Sequence, residues 1–116
     1  MATEKISGDK RSILYSAGTG TNDNDVVIQS GDVTGYDTFM LMSTAGAMDV
    51  FVSLDGTNYS TAALSIADLG ATSSTPVVVT VANRVYGFKG SFKAVRVLQN
   101  GATGVTAASL VCSKSG

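Results

Sequence analysis

Short runs in which apolar and polar residues alternate, separated by turns rich in glycine and aspartate, recur along the whole chain. The clearest run covers residues 47–54, where one side carries Met48, Val50, Val52 and Leu54. A period of two residues is typical of a β-strand with one buried face. Asp55-Gly56 follows and provides the positive φ angle of a tight hairpin turn, so residues 57–64 are predicted to return as the partner strand.

Other strands are predicted wherever β-branched and large apolar residues lie between turn signals. They cover residues 11–16, 26–30, 36–44, 77–82, 91–99 and 105–113. The consecutive large side chains of residues 36–44 predict a strand that is buried on both faces. Residues 64–71 favour an extended segment or a short turn, and one helical turn closed by Gly70 is the alternative. Val95 and Val97 are predicted to point inward.

Segments that contain glycine and asparagine predict where the chain turns. Residues 17–25 are predicted to form a loop, and residues 83–90 are predicted to form a turn. Asn100-Gly101 is the strongest hairpin signal in the chain and predicts that the strands on either side pair with each other. In the last strand, alternation predicts one face made of Val105, Ala107, Ser109 and Val111.

The number and spacing of these elements predict an all-β fold. About seven or eight short strands, with turns about every 8–12 residues and no alternation of strand and helix, are typical of an antiparallel β-sandwich or a small barrel. We favour a jelly-roll-like sandwich that occupies residues 11–116 as a single domain. Residues 1–10 contain several charges and little that is apolar, and are predicted to be a flexible arm.

The amino-acid composition indicates how polar and how charged the surface is, and it bears on whether nucleic acid is a partner. The chain has 116 residues, of which 44% are apolar and 15% are charged, and its net charge is −1. A polar surface with so few charges suits a protein that packs against other proteins, but on composition alone we favour a small secreted or viral domain of ordinary composition. We expect no nucleic-acid partner, because there is no basic excess to meet phosphates.

Hydropathy bears on where the protein is expected to act. The longest apolar run, near residues 77–81, is too short to span a bilayer, so we expect no membrane association. Residues 1–12 lack the apolar centre of a signal peptide. We therefore expect the chain to be made and kept in a cytoplasm, unless assembly or lysis carries it out.

The residues available for chemistry are few. The chain has no histidine to serve as a base and no tryptophan, and Cys112, the single cysteine, is expected to be a small buried hydrophobe. Five of its eight aspartates lie at turns or strand edges, where aspartate is favoured for local hydrogen bonding: Asp32, Asp37, Asp49, Asp55 and Asp68. Residues 21–25 are interpreted as an Asx-rich loop rather than a calcium site. We therefore expect no enzymatic activity, no catalytic residues, no cofactor and no metal.

Four residues are candidates for an interface. Residues 83–90 combine aromatic and basic side chains, a pairing that anchors many interfaces, which selects Arg84, Tyr86 and Lys89. Tyr59 is added as a residue expected at the rim of the sandwich. For Tyr86 and Phe88 the alternative is that both alternate inward and fill the core. Asp55 is interpreted as a turn residue, and Asp55→Asn is expected to be nearly silent.

Two segments carry a resemblance to a known class of protein. They read "VFVSLDGTNYSTAALSIADLGATS" and "RVYGFKGSFKAVRVLQNGATGVTAASLVC", and with the intervening chain they cover roughly residues 47–112. Their order of strand, "SLDGTN" hairpin, "DLGA" turn and "F-x-x-V-R-V" strand followed by "QNGA" resembles small virion structural proteins of tailed bacteriophages.

The resemblance implies a capsid decoration or cement protein that binds the head and stabilises it. It implies a homo-oligomer, most often a trimer, with the major capsid protein or other virion proteins as partners. The location implied is the virion, assembled in the host cytoplasm. The alternative function is a carbohydrate- or receptor-binding module of a tail or an adhesin, which would need an exposed aromatic platform such as Tyr36, Tyr59 or Tyr86.

Overall fold

The computed structural model describes residues 2–72 and 75–115 and builds them from two antiparallel sheets. The strands are β1 (Thr3–Ile6), β2 (Ser12–Gly20), β3 (Val26–Gln29), β4 (Thr38–Met42), β5 (Met48–Ser53), β6 (Ala67–Asp68), β7 (Tyr86–Lys89), β8 (Ala94–Gln99) and β9 (Val105–Ser113). The larger sheet has the order β1-β2-β9-β4-β7-β6, and the smaller has the order β3-β8-β5. The predicted all-β antiparallel sandwich is therefore confirmed, with nine strands in the described residues. Those residues form no helix long and apolar enough to cross a membrane.

The core lies between the two sheets and is made by alternate residues of the strands. The buried side chains include Ile13, Tyr15, Val27, Ile28, Phe39, Leu41, Met48, Val50, Tyr86, Phe88, Val95, Val97, Leu110 and Cys112. Phe39 and Phe88 stack with their ring centroids 5.0 Å apart, and Phe92 packs beside them at 5.7 Å from Phe39. The inward orientation predicted for Val95 and Val97, and the burial predicted for Cys112, are confirmed.

Strand β4 differs from its prediction on one face. Phe39 and Leu41 are buried as expected, but Met40 is 38% exposed and Met42 is 36% exposed. The second sheet covers only the inner face of β4, and no element of the described chain lies over the other. The prediction that residues 36–44 are buried on both faces is therefore wrong for this single chain.

Of the two predicted hairpins, the one at Asp55-Gly56 forms only in part, with backbone hydrogen bonds from Ser60 to Val52 and from Leu64 to Val50, and the one at Asn100-Gly101 does not form. Residues 57–64 make one isolated bridge, from Tyr59 to Ser53, and the chain then runs along the edge of β5 without becoming a strand. The partner of β5 is β8, which pairs with it along its full length. Asn100-Gly101 does turn the chain, with a positive φ at Gly101, but it carries the chain from β8 in one sheet to β9 in the other. The predicted turns are thus correct at both sites, whereas the predicted pairing is partial at Asp55-Gly56 and wrong at Asn100-Gly101.

Residues 77–82, predicted as a strand, instead form one isolated β-bridge and one pair of hydrogen bonds to the edge of β5. Val77 bridges Ile66, and Thr80 exchanges hydrogen bonds with Met48 at the free edge of β5. The Thr80 backbone N–H donates to the Met48 carbonyl (2.9 Å), and the Thr80 hydroxyl accepts from the Met48 N–H (2.9 Å). β-Branched residues therefore serve here to cover an edge. Conversely, residues 83–90, predicted as a turn, contain β7.

A β-bulge changes which residues of β9 face inward. Ala107 has a positive φ of 49°, and the register between β2 and β9 shifts twice near this point. Residue 107 is exposed, and the buried residues that follow it are Ala108, Leu110 and Cys112. The predicted face is therefore interrupted. Val105 points inward, whereas Ser109 and Val111 lie on the opposite face, because simple alternation cannot count the extra residue of a bulge. Strand β2 likewise extends to Gly20, into the predicted loop.

The segment predicted as a flexible arm, residues 1–10, contains the edge strand β1. Its four residues pair with β2 in register, from Thr3 opposite Ser16 to Ile6 opposite Ile13. The buried Tyr15 hydroxyl donates a 2.5 Å hydrogen bond to Glu4. The division into an arm and a domain stays a prediction, but residues 3–6 belong to the sheet in this structure.

Candidate interaction surface

The outer face of the six-stranded sheet carries a row of side chains that the strand register aligns. The row runs Lys5, Leu14, Val111, Met40, Gly87, Ala67 from one edge of the sheet to the other. Their sequence neighbours, among them Ile13, Leu110 and Phe39, point into the core. Successive side chains of a strand point to opposite sides, so the row is directed away from the core.

This face is apolar. Of the ten exposed large hydrophobic residues in the described chain, five lie on it or at its rim: Leu14 (37%), Met40 (38%), Met42 (36%), Val85 (39%) and Leu69 (56%). Contiguous exposed apolar residues of this kind mark sites of interaction. We call this surface the outer face, and it is the candidate functional site of the protein.

A groove of about 420 Å³ crosses the outer face beside the turn after β6. Its lining consists of Thr38, Phe39, Met40, Ala67, Leu69, Gly87, Phe88 and Lys89. Gly87 helps to form it, since a Cβ atom at that position would lie only 3.2 Å from the Leu69 side chain. We call it the Leu69 groove. A second depression of about 240 Å³ continues the apolar surface towards Met42, Val85 and Val111.

An ion pair fixes the wall of the Leu69 groove. The Arg84 guanidinium donates from Nε to Asp68 Oδ2 over 2.6 Å, and the Gly70 N–H donates to Asp68 Oδ1 over 3.0 Å. The Arg84 hydrogen bond is the main reason that the pKa of Asp68 lies below its usual range. The Leu69 N–H donates to the Val85 carbonyl, so the turn that carries Leu69 is hydrogen-bonded to the residue that precedes β7.

Of the four predicted interface residues, Arg84 and Lys89 lie at this surface. Lys89 lines the Leu69 groove, is exposed, and forms no ion pair with any residue of the described ranges. Arg84 is partly exposed but engaged with Asp68. Whether either residue contacts a partner stays a prediction.

Tyr86 does not belong to the surface. It is 1% exposed, and its hydroxyl accepts a hydrogen bond from the Val81 N–H over 2.7 Å. Phe88 is also buried, so the alternative in which both residues alternate inward is the correct one. Tyr86 therefore offers no side-chain area to a partner of this chain.

Tyr59 lies on the smaller sheet, away from the other candidates. The Arg96 guanidinium stacks 3.9 Å from the centroid of the Tyr59 ring. Gln29 joins the two residues, because its Nε2 donates to the Tyr59 hydroxyl (2.7 Å) and its Oε1 accepts from Arg96 Nε (2.8 Å). One face of the ring is thus already covered.

Tyr36, the remaining tyrosine suggested for a sugar platform, is also enclosed. It is 8% exposed, its hydroxyl donates to the Lys10 carbonyl over 2.9 Å, and Lys114 lies over its ring. Neither Tyr36 nor Tyr86 therefore presents an open ring on which a sugar could stack.

The other residues considered for metal binding or catalysis take part in ordinary structural contacts. In the described residues no three histidine, cysteine, aspartate or glutamate side chains cluster as metal ligands would. In the loop at residues 21–25, Asp25 accepts from the Asn22 and Thr21 N–H groups, which lowers its pKa. Burial raises the pKa of the Cys112 thiol to about 12, so the thiolate is scarce.

The outer face was not predicted from the sequence, although the sequence contains part of the pattern that indicates it. Met40 and Met42 stand in a run where alternate residues already supply the core, so the run has more apolar residues than one face needs. The contributions of Leu14 and Val111 depend on β2 and β9 being placed beside β4, which is a property of the fold.

Comparison with solved structures places this architecture among known folds. The SPBc2 prophage-derived protein YomS matches with a TM-score of 0.63 and 13% sequence identity, over 87% of this chain and 93% of YomS. Procruciferin, an 11S globulin from Brassica napus, matches with a TM-score of 0.52 and 11% identity, over 97% of this chain and 24% of procruciferin. At such low identity the likeness shows a shared fold. No protein-family model and no curated protein matches the sequence.

Proposed function

We propose that this protein is a non-enzymatic structural component of a bacteriophage virion, which packs its outer face against other virion proteins and stabilises the head as a decoration or cement protein. The observation that carries the proposal is the apolar outer face, which extends from Leu14 on β2 to Leu69 beside β6. A face of this kind has the composition of an interface core, in which charged residues are depleted and methionine is enriched.

Two further observations support a phage origin. The fold is shared with a prophage-derived protein over most of the length of both chains. Residues 47–112 resemble small virion proteins in the order of their strands and turns. The low content of charged residues, 15%, agrees with a protein that is largely surrounded by other proteins.

The partners that we propose are further copies of this chain and the major capsid protein or other virion proteins. Closed cyclic symmetry is the ordinary result when one chain associates with itself, and the resemblance to decoration proteins favours a trimer. A net charge of −1 gives no electrostatic reason to bind nucleic acid. The proposed location is the virion, with assembly in the host cytoplasm.

The test compares heads that differ only in this protein. Heads assembled without it are expected to lose their contents at a lower temperature than complete heads, and the purified protein is expected to co-sediment with the deficient heads and restore them. Met40→Ser with Met42→Ser should weaken co-sedimentation. The matched control is Val26→Ser, which removes an exposed apolar residue from β3 on the other sheet.

Two results would contradict the proposal. Equal binding by the Met40/Met42 variant and the control would remove the outer face from the interaction. A protein that never co-sediments with heads but binds an immobilised glycan would favour the receptor-binding alternative.

A further inference from the structure

The turn after β5 holds a leucine out in solvent. Leu54 is 77% exposed, more than any other large hydrophobic residue in the described chain. It directly follows the buried Ser53 and directly precedes the turn residues Asp55 and Gly56. An apolar side chain in this position is available to fill a cavity on a partner.

Hydrogen bonds make this turn rigid. Asp55 Oδ1 accepts from the backbone N–H groups of Thr57 and Asn58, both at 2.8 Å, and from the Ser53 hydroxyl at 3.0 Å. Asp55 Oδ2 accepts from Asn58 Nδ2 at 2.7 Å, and the Ser53 hydroxyl accepts from the Gly56 N–H at 2.8 Å. A side chain presented by an ordered turn loses little conformational freedom when it binds, which favours association.

The same chain carries a cavity suited to this turn. The Leu69 groove is lined mainly by apolar atoms, and its volume of about 420 Å³ exceeds what the four carbon atoms of a leucine side chain need. Lys89 is the single charged residue of its lining and forms no ion pair within the described ranges. On the turn, the acidic Asp55 is adjacent to the apolar Leu54, and in the groove the basic Lys89 is adjacent to an apolar lining. The two surfaces are therefore complementary in both hydrophobicity and charge.

We infer that the Leu54 turn of one copy inserts into the Leu69 groove of a second copy, where Asp55 lies against Lys89. The inference rests on the proposed homo-oligomer and names its contact. The turn belongs to the smaller sheet and the groove to the larger, so each copy gives its turn to one neighbour and receives the turn of another. A head-to-tail contact of this type generates a ring if the rotation between copies closes.

Disulfide trapping between two single variants tests the contact and its symmetry. Leu54→Cys and Lys89→Cys are purified separately, mixed under mild oxidation and compared with each variant alone. We expect a covalent dimer in the mixture at least tenfold more abundant than in either variant alone, because the proposed contact joins position 54 of one copy to position 89 of another. The native Cys112 is buried and does not compete. Leu54→Cys mixed with Val26→Cys is the matched control.

A second measurement avoids the introduced thiols. Leu54→Ser should raise the dissociation constant of the oligomer by about tenfold or more, as measured by light scattering over a dilution series, whereas Val26→Ser should leave it unchanged. Lys89→Glu should act in the same direction, because it places two carboxylates together.

Three outcomes would overturn the inference: mixed cross-linking at the level of the Val26 control, Leu54→Cys linking to itself as readily as to Lys89→Cys, or a strictly monomeric protein. Co-sedimentation with heads is scored separately. If the protein binds heads but the mixed pair does not link, the contact is wrong while the virion role stands. If the pair links but heads are not bound, the contact stands while the virion role is wrong.

Discussion

The two faces of the six-stranded sheet are built by the same strands and are both apolar, but only one is covered. Phe39 and Leu41 of β4 are at most 1% exposed, whereas Met40 and Met42, their immediate neighbours, are 36–38% exposed. The smaller sheet covers the inner face. Hydrophobic residues therefore mark two different surfaces here, one buried within the chain and one available to a partner.

The side chains of the two faces differ in how readily they can adapt their shape to a neighbouring surface. The inner face holds a stacked pair of phenylalanine rings and other fully buried side chains, such as Leu41 and Leu110. Such interiors are packed as densely as organic crystals, so a change in side-chain volume is destabilising. The centre of the outer face holds methionine, whose unbranched side chain adapts to an irregular partner. The inner face thus specifies one fold, while the outer face allows adjustment to a neighbouring protein.

The largest expected difference between the faces is the reactivity of adjacent thiols in β9. Cys112 points inward and should react with a thiol reagent at pH 8 at least about 10³-fold more slowly than in the unfolded chain, since opening the core costs about 5 kcal/mol or more. A cysteine introduced by Val111→Cys points outward and should react quickly. The measurement is the number of fast and slow thiols in the variant, and it should show one of each.

The same variant extends the comparison to the assembled state. On binding to heads, the cysteine at position 111 should become protected while Cys112 is unaffected. Equal reaction rates at positions 111 and 112 in the free protein would show that the two faces are equally open, which would contradict the structure.

Truncation of neighbouring side chains in β4 should separate stability from binding. Phe39→Ala removes a fully buried ring and should lower the free energy of unfolding by about 3–5 kcal/mol. Met40→Ala removes a partly exposed side chain and should cost about 1 kcal/mol or less. Urea denaturation at a concentration where the protein is monomeric measures both. Similar losses for both variants would mean that the outer face is part of the core.

A buried polar residue of β8, in the smaller sheet that covers the inner face, extends the comparison. Gln99 is fully buried, its Nε2 donates to the Gly101 carbonyl, and its Oε1 accepts from the Val105 N–H. Gln99→Leu keeps the volume but leaves that N–H without its acceptor, and should cost about 1–3 kcal/mol in urea denaturation. The exposed Gln29→Leu is the control and should change stability less. A neutral Gln99→Leu would show that the connection from β8 to β9 does not need this side chain.

The smallest effect is expected at Asp55, which belongs to neither face. Its hydrogen bonds, the Asn58 backbone N–H first among them, hold the pKa of Asp55 far below its usual range. The stabilisation is complete above the unfolded pKa of about 3.9 and is lost as pH falls through the folded pKa. Asp55→Asn should lower the urea midpoint at pH 6, because its amide group would face a donor, Asn58 Nδ2, at the position of Oδ2.

The pH dependence gives the check on this variant. The difference between the wild type and Asp55→Asn should be constant above about pH 5 and should shrink at lower pH. A difference that grows in acid would contradict the hydrogen-bond arrangement. The structure thus replaces the sequence-based expectation of a nearly silent substitution with a small, pH-dependent one.

Local features of the fold could be predicted from the sequence, because they depend on neighbouring residues. The alternation in residues 47–54 predicted β5, and the β-branched residues around Val95 predicted the inward face of β8. The turn character of Asp55-Gly56 was also correct. In each case the periodicity or the φ requirement is set within a few residues.

Pairing and edge roles could not be predicted, because they depend on distant partners. Nothing near Asn100-Gly101 indicates that β8 and β9 belong to different sheets. Residues 77–82 have the composition of a strand, but the free edge of β5 engages only Thr80 among them. The bulge at Ala107 and the outer face likewise arise from how β2, β4 and β9 are placed side by side.

The central position of β9 in the larger sheet has a consequence for how the protein is made. β9 lies between β2 and β4, so these two strands do not touch until residues 105–113 arrive. At about 5–20 residues per second, the ribosome adds the 62 residues between Met42 and Val105 in roughly 3–12 s. By the end of that interval β1 can pair with β2 and β4 with β7, but the edges of β2 and β4 that β9 later joins are still open. Strand β9 joins the two halves of the sheet, and the larger layer is therefore expected to form only after residues 105–113 have been made.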